Sequence, residues 1–105
     1  MQESHNITAC ESLVKHMQAA RKITSEFEAS ERFQRLLALK RSYAEKIKHA
    51  PENARIAAGQ WTAALSRAEN KIKLDKMEDR AFFDVLKFRK RALRACGIKA
   101  EEVGF

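Results

Sequence analysis

Apolar side chains recur along most of this chain at spacings of three and four, the interval that gathers residues on one face of an α-helix. Cys10, Leu13, Met17, Ala20 and Phe27 form the first such stripe. At its start, Thr8-Ala9-Cys10-Glu11 fits the capping box, in which a hydroxyl accepts from an orphan helix N–H and a glutamate answers three residues later. A first helix is therefore expected from Thr8, with residues 1–7 extended or disordered. Thr24-Ser25-Glu26 and Ser30-Glu31 both read as helix starts, since hydroxyls and acids satisfy and complement an N-terminus. The first break is accordingly expected between Phe27 and Ser30.

The second stripe carries Phe33, Leu36, Leu37, Tyr43, Ala44 and Ile47, with Lys40 on the same face. Pro51 ends it. Proline disfavours helical geometry in the residue before it yet suits a first helical turn, so Ala50 becomes a corner and Glu52 opens a third helix. From Ala54 the register runs through Ala58, Trp61, Leu65, Ala68 and Ile72, meets Asp75 and Asp79, and resumes with Phe82, Leu86, Leu93 and Cys96. The acids have two readings. Asp75 or Asp79 caps a fourth helix, or one long helix carries a polar layer; the cap is preferred, because two carboxylates in a buried seam are costly. Gly97 reads as a left-handed cap residue with Ile98 supplying the hydrophobic contact that accompanies such caps. The fold expected is all-α, a small antiparallel bundle of four helices over residues 8–98, followed by a short tail over 99–105. The alternative has three helices, the last two fused into a rod that buries its stripe only by dimerising.

Composition narrows this further. With one Pro and three Gly in 105 residues, turn chemistry is too scarce for a sandwich or barrel. At 45% hydrophobic and 33% charged, the chain has enough apolar surface to fold. Runs such as Leu36–Leu39 fall far short of the ~20 apolar residues that span a bilayer. The opening residues lack the positive and apolar regions of a secretory signal, so a cytoplasmic location is expected, or the host cytoplasm for a phage-encoded chain. Cys10 and Cys96 fall on apolar stripes with no close-spaced ligand partner, and buried free thiols are the expected state. An up-and-down bundle nevertheless places the two cysteines at the same end.

Chemistry is sparse. Phosphate loops, nucleophile elbows and zinc spacings are missing from the sequence, so no catalytic residue, metal ligand or cofactor is expected. His5, His16 and His49 are scattered and read as solvated or edge histidines. Asp75, Glu78, Asp79 and Asp84 offer oxygen ligands for a divalent cation, but Lys76 and Arg80 interleave them, which favours helix-start charge and ion pairing.

The cations are more informative. Of the 21 Lys and Arg against 14 Asp and Glu, Lys87, Arg89, Lys90, Arg91 and Arg94 fall within eight residues free of intervening acids. At about 100° per residue, Lys87, Lys90, Arg91 and Arg94 share a face opposite the apolar stripe. Cations also complement a helix C-terminus, but that accounts for only two or three of them. Phe83 projects beside Lys90 and Arg94, where an aromatic can stack on an unpaired base; the plainer reading, preferred on pattern alone, packs it against a neighbouring helix. The second helix adds Arg32, Arg35, Lys40, Arg41, Lys46 and Lys48, and side-by-side packing of helices two and four makes one positive surface. Lys40 and Arg89 project towards apolar stripes and are expected to snorkel or to pair with an acid.

Three functions fit these features. The leading one is a non-enzymatic protein that binds nucleic acid, or docks on a nucleoprotein complex, through Lys87, Lys90, Arg91, Arg94, Phe83, Arg35, Arg41 and Lys48. About five phosphate contacts give log affinity a slope of roughly −4.5 against log salt. The second is a small helical adaptor or inhibitor, of the phage or mobile-element type, that sets Phe83, Trp61 or Tyr43 into an acidic protein partner. The third is a self-associating structural bundle, a homodimer through the seam from Ala54 to Cys96. A membrane partner is not expected.

Overall fold

The computed structural model describes residues 2–69 and 78–105, with side chains over 8–28, 30–68 and 83–105. Four α-helices follow one another: α1 (Gln2–Glu26), α2 (Ala29–Ile47), α3 (Glu52–Glu69) and α4 (Glu78–Ala95), then a short 3₁₀ turn over Ala100–Val103. There are no strands among the described residues. The fused-rod alternative is excluded, since α3 and α4 are separate helices packed against each other.

The helices run antiparallel in sequence order. Arg67 meets Asp84 at one end of the α3–α4 pair, while Asn53 and Ile56 border Arg94 and Ala95 at the other. Between α1 and α2, Thr8 and Ala9 lie beside Lys46 while Arg21 and Thr24 lie beside Arg32, and His16 stacks on Tyr43. The main packing partners are α1 with α2 and α3 with α4; lesser contacts of α2 with α3 and of α1 with α4 close the ring. Helices α2 and α4 are therefore diagonal. The continuous positive surface that required them side by side does not form.

Each helix boundary has a local cause. α1 begins at Gln2, so residues 2–7, expected to be extended or disordered, are helical, and Thr8 lies within the helix instead of capping it. At its other end the Thr24 and Ser25 hydroxyls donate to the carbonyls of Arg21 and Lys22. These two residues close the last turn of α1 and do not open a new helix, because a hydroxyl three residues after a carbonyl can satisfy it as readily as it caps an N–H. Pro51 separates α2 from α3 as expected, with Ala50 buried in the corner and its carbonyl accepting from Arg55 Nε at 3.1 Å. Asp75, one of the two cap candidates, lies outside the described residues. Asp79 is the second residue of α4, inside its first turn.

The C-terminal cap has the geometry the sequence implies. Gly97 has φ +73°, its N–H donates to Arg94 O at 2.9 Å, and Ile98 N–H donates to Leu93 O at 2.9 Å. This pair of bonds is the Schellman motif, and Ile98 packs on the core beside it. The tail beyond is ordered. Gln18 Nε2 donates to Val103 O at 3.1 Å and Arg21 Nη1 to Gly104 O at 2.6 Å, which ties residues 99–105 back onto α1.

The core is drawn unequally from the helices. Ala9, Leu13, Met17 and Ala20 of α1 face Ala54, Ala57, Trp61 and Ala64 of α3, and Val85, Ala92 and Leu93 of α4. Alanines on α3 bring the neighbouring backbones close, and Trp61, 2% exposed, fills the space they leave. Helix α2 contributes only half-buried Leu36, Leu39 and Ile47, while Phe33 is 42% exposed. It lies on the bundle more as a cover than as a wall.

Cys10 and Cys96 are joined by a disulfide, with Cα atoms 5.8 Å apart. The expectation of free thiols is corrected here: both cysteines sit on inward stripes, and the antiparallel course of α1 and α4 brings the start of one to the end of the other.

Candidate functional site

The outward face of α4 carries Phe83, Lys87, Lys90 and Arg94 at spacings of four, three and four, one stripe about 16 Å long. Arg91 stands one turn beyond Lys87 on its flank. All five are exposed, because Val85, Ala92 and Leu93 turn the opposite face of the helix into the core. Phe83 is 71% exposed. Packing against a neighbouring helix, the plainer expectation for it, is thus corrected.

None of Lys87, Lys90, Arg91 and Arg94 is ion-paired with a carboxylate among the described residues. Asp84, the acid nearest to them in sequence, faces α3 and lies 3.9 Å from Arg67. Glu101 borders the same shallow groove as Lys90 and Arg94 without forming an ion pair with either. Among the described residues, Phe88 is half-buried and its ring lies 5.6 Å from both Lys87 Nζ and Arg91 Cζ. Contacts of that length at an exposed site are weak and leave the charged ends available.

The candidates on α2 differ. Arg35 lies 3.8 Å from Glu31 and stacks at 3.7 Å on the ring of Phe27. Lys48 lies 2.7 Å from Glu45, and their hydrogen bond holds the Glu45 carboxyl below the usual range. Arg41 is exposed. With α2 and α4 diagonal, the two groups of cations sit on different sides of the bundle, and Arg35 on α2 and Lys48 at its C-terminal cap already have acidic neighbours.

Arg89 is half-buried, and its guanidinium lies 4.1 Å from the ring of Phe105, with no ion pair to an acid among the described residues. Burial, and secondarily the charge of Arg21, push it below the usual arginine range. Arg21 approaches the same ring at 5.6 Å, so the tail aromatic separates two like charges at the end of α1 and the middle of α4.

Other side chains named from sequence are placed differently. Trp61 is buried and unavailable to a partner's groove, and Tyr43 is half-buried under the His16 ring. His16 is not a solvated histidine: it is 5% exposed, stacked on Tyr43 at 5.1 Å and edge-on to Trp61 at 5.1 Å. Burial, with a smaller contribution from the Lys40 charge, pushes it down to about 4, so the imidazole is neutral at pH 7. Its spacing from Leu13 and Ala20 put it at the edge of the first stripe, and that was the signal in the sequence. His49 is exposed, and His5 lies among residues whose side chains are not described. Of the acidic group, Asp84 forms an ion pair with Arg67 of α3, a residue outside the interleaved cluster; Asp75, Lys76 and the side chains of Glu78, Asp79 and Arg80 lie outside the described set. Among the described residues no group of His, Cys, Asp and Glu is arranged to hold a metal ion, and no helix is long and apolar enough to cross a membrane.

Comparison with models of protein families, with curated proteins and with solved structures finds no match for this chain.

Proposed function

We propose that the protein binds nucleic acid, or docks on a nucleoprotein complex, through the outer face of α4. The observation that carries this reading is the stripe of Lys87, Lys90 and Arg94, with Arg91 beside it, exposed and without an ion pair among the described residues, in a chain of formal charge +7. Uncompensated cations along a rigid helix attract a polyanion, and phosphate contact releases the counterions condensed on it. Phe83 heads the stripe and supplies a face on which an unpaired base can stack. The α2 cations are secondary in this reading, since Arg35 and Lys48 have acidic neighbours. The adaptor reading is weaker, because two of its three anchors, Trp61 and Tyr43, are turned inward.

The test is an electrophoretic shift on duplex and single-stranded probes across a salt series. Four phosphate contacts imply a slope of log affinity on log salt of roughly −3.6 for duplex and roughly −2.8 for a single strand. Reversing Lys87, Lys90, Arg91 and Arg94 to Glu should abolish the shift while far-UV circular dichroism is unchanged, and Phe83→Ala should weaken single-strand binding more than duplex binding. A response to salt that is flat, or equal binding by the reversed variant, refutes the proposal.

A further inference from the structure

Arg89 is a half-buried cation without a counter-charge among the described residues. Its guanidinium lies 4.1 Å from the Phe105 ring. A ring contact of this kind uses the flat face of the group and leaves its in-plane N–H groups in need of acceptors. Among the described residues they make neither a hydrogen bond nor an ion pair. A second guanidinium, that of Arg21 on α1, reaches the same ring at 5.6 Å and gives one N–H to the Gly104 carbonyl. Burial and this like charge both disfavour the cation at Arg89, a cost that an anion beside it offsets.

Beside these two residues opens a cleft of about 400 Å³ to which all four helices contribute. Arg21 and Arg89 lie on its wall together with Arg32 of α2, whose Nε donates to the Phe27 carbonyl. Apart from Thr24 the rest of the wall is apolar, with Met17, Trp61, Leu65, Val85 and Leu86 its large side chains. That size, and a mainly apolar wall with few polar groups, are those of a small-ligand site. At about 30 Å³ per water-sized group, the space holds about a dozen non-hydrogen atoms. An inorganic anion there leaves the apolar wall facing water, and an uncharged hydrocarbon leaves the guanidiniums uncompensated. An apolar chain that ends in an oxyanion answers both, and a planar carboxylate matches the parallel N–H groups of an arginine fork.

We propose that this cleft binds a single-chain fatty acid of about ten carbons, with the carboxylate at Arg89 and Arg21 and the chain along Trp61, Leu65 and Leu86. Arg32 adds positive charge at the border. None of these residues belongs to the outer face of α4, so the site is independent of the nucleic-acid reading.

The probe is decanoate, titrated into the full chain at neutral pH and below the concentration at which it forms micelles. Trp61 is the chain's single tryptophan and lies on the cleft wall, so its emission reports occupancy. Binding should saturate at one site per chain. Decanol, with the same chain and no charge, should bind about tenfold more weakly, the worth of a charge-assisted hydrogen bond. Arg89→Gln should bring decanoate down to the level of decanol. Arg21→Gln, at an exposed position, should weaken decanoate and leave decanol unchanged, which keeps the test available if the Arg89 variant is poorly folded. Lys15→Gln removes a charge from α1 outside the cleft and should leave decanoate binding as it was. No saturable change from micromolar to millimolar decanoate overturns the proposal, and so does equal binding of decanol. A loss in Lys15→Gln as large as in Arg89→Gln also overturns it, because the anion would then be answering the net charge of the chain and no particular site.

Discussion

Reducing the Cys10–Cys96 bond is the perturbation with the most to say about how this fold is held. The bond joins residues 86 apart and so closes nearly the whole chain into one loop. On chain statistics, closing about 87 residues removes about 4.6 kcal/mol of denatured-state entropy. Denatured helical chains keep residual structure that reduces this, and about 2–4 kcal/mol is the usual yield. In a domain of this size each kcal/mol shifts the melting temperature by about 4–8 °C, so the reduced protein should melt about 10–30 °C lower. The assay is thermal and urea unfolding followed by circular dichroism, with and without a strong reductant, and thiol titration before and after. The double variant Cys10→Ala with Cys96→Ala should resemble the reduced protein and be indifferent to reductant. Two titratable thiols in the air-oxidised native protein, or melting temperatures within about 2 °C of each other, would refute the reasoning. In a glutathione-reduced cytoplasm these positions revert to thiols, and the noncovalent core then carries the fold alone.

Acidification should destabilise the bundle through His16. Its pKa falls from 6.5 to about 4 on folding, so between those values the unfolded chain binds the proton and the folded one does not. Stability is therefore full above pH 6.5 and lost as pH falls towards 4, by about 3 kcal/mol at most. Urea unfolding of the wild type against His16→Phe across that range isolates the effect from His5 and His49. Gly97→Ala should cost about 1–2 kcal/mol in the same assay, because φ is +73° there and open space surrounds the new methyl, leaving only backbone strain. Phe105→Ala should loosen the tail by removing the ring between Arg21 and Arg89, read as faster amide exchange over residues 100–105 with exchange in α3 unchanged.

Much of the architecture was legible because its causes are local. The apolar spacing, the break after Phe27, the corner at Ala50-Pro51 and the Gly97 cap all depend on residues within a turn or two of each other. The outward set of Lys87, Lys90, Arg91 and Arg94 follows from the same periodicity, since a helix that buries Val85, Ala92 and Leu93 must present the opposite face to water. Where local signals competed, the reading failed. Thr8 fits a cap, yet the helix runs on through it to Gln2; Thr24 and Ser25 fit a start, yet their hydroxyls serve the carbonyls behind them.

The candidate sites divide in the same way. Glu31, four residues before Arg35, and Glu45, three before Lys48, stand at spacings that bring side chains together on a helix, and both pairs form. Phe83 was left between two readings until the position of α3 was known. His16 resembled any histidine at the edge of a stripe, and its burial depended on Tyr43 and Trp61 arriving from two other helices.

By itself the sequence determined that the chain is helical, where three of its four helices are divided from their neighbours, and which face of α4 is charged, because these are settled by hydrogen bonds and side-chain spacings a few residues long. Only the tertiary structure decided that α2 and α4 lie diagonally, that Cys10 meets Cys96, that the tail folds back on Arg21, and that His16 is enclosed. Each of those depends on which helix faces meet in space. Such pairing is selected by the packing of the whole core, and several arrangements of the same four stripes satisfy every local rule equally well.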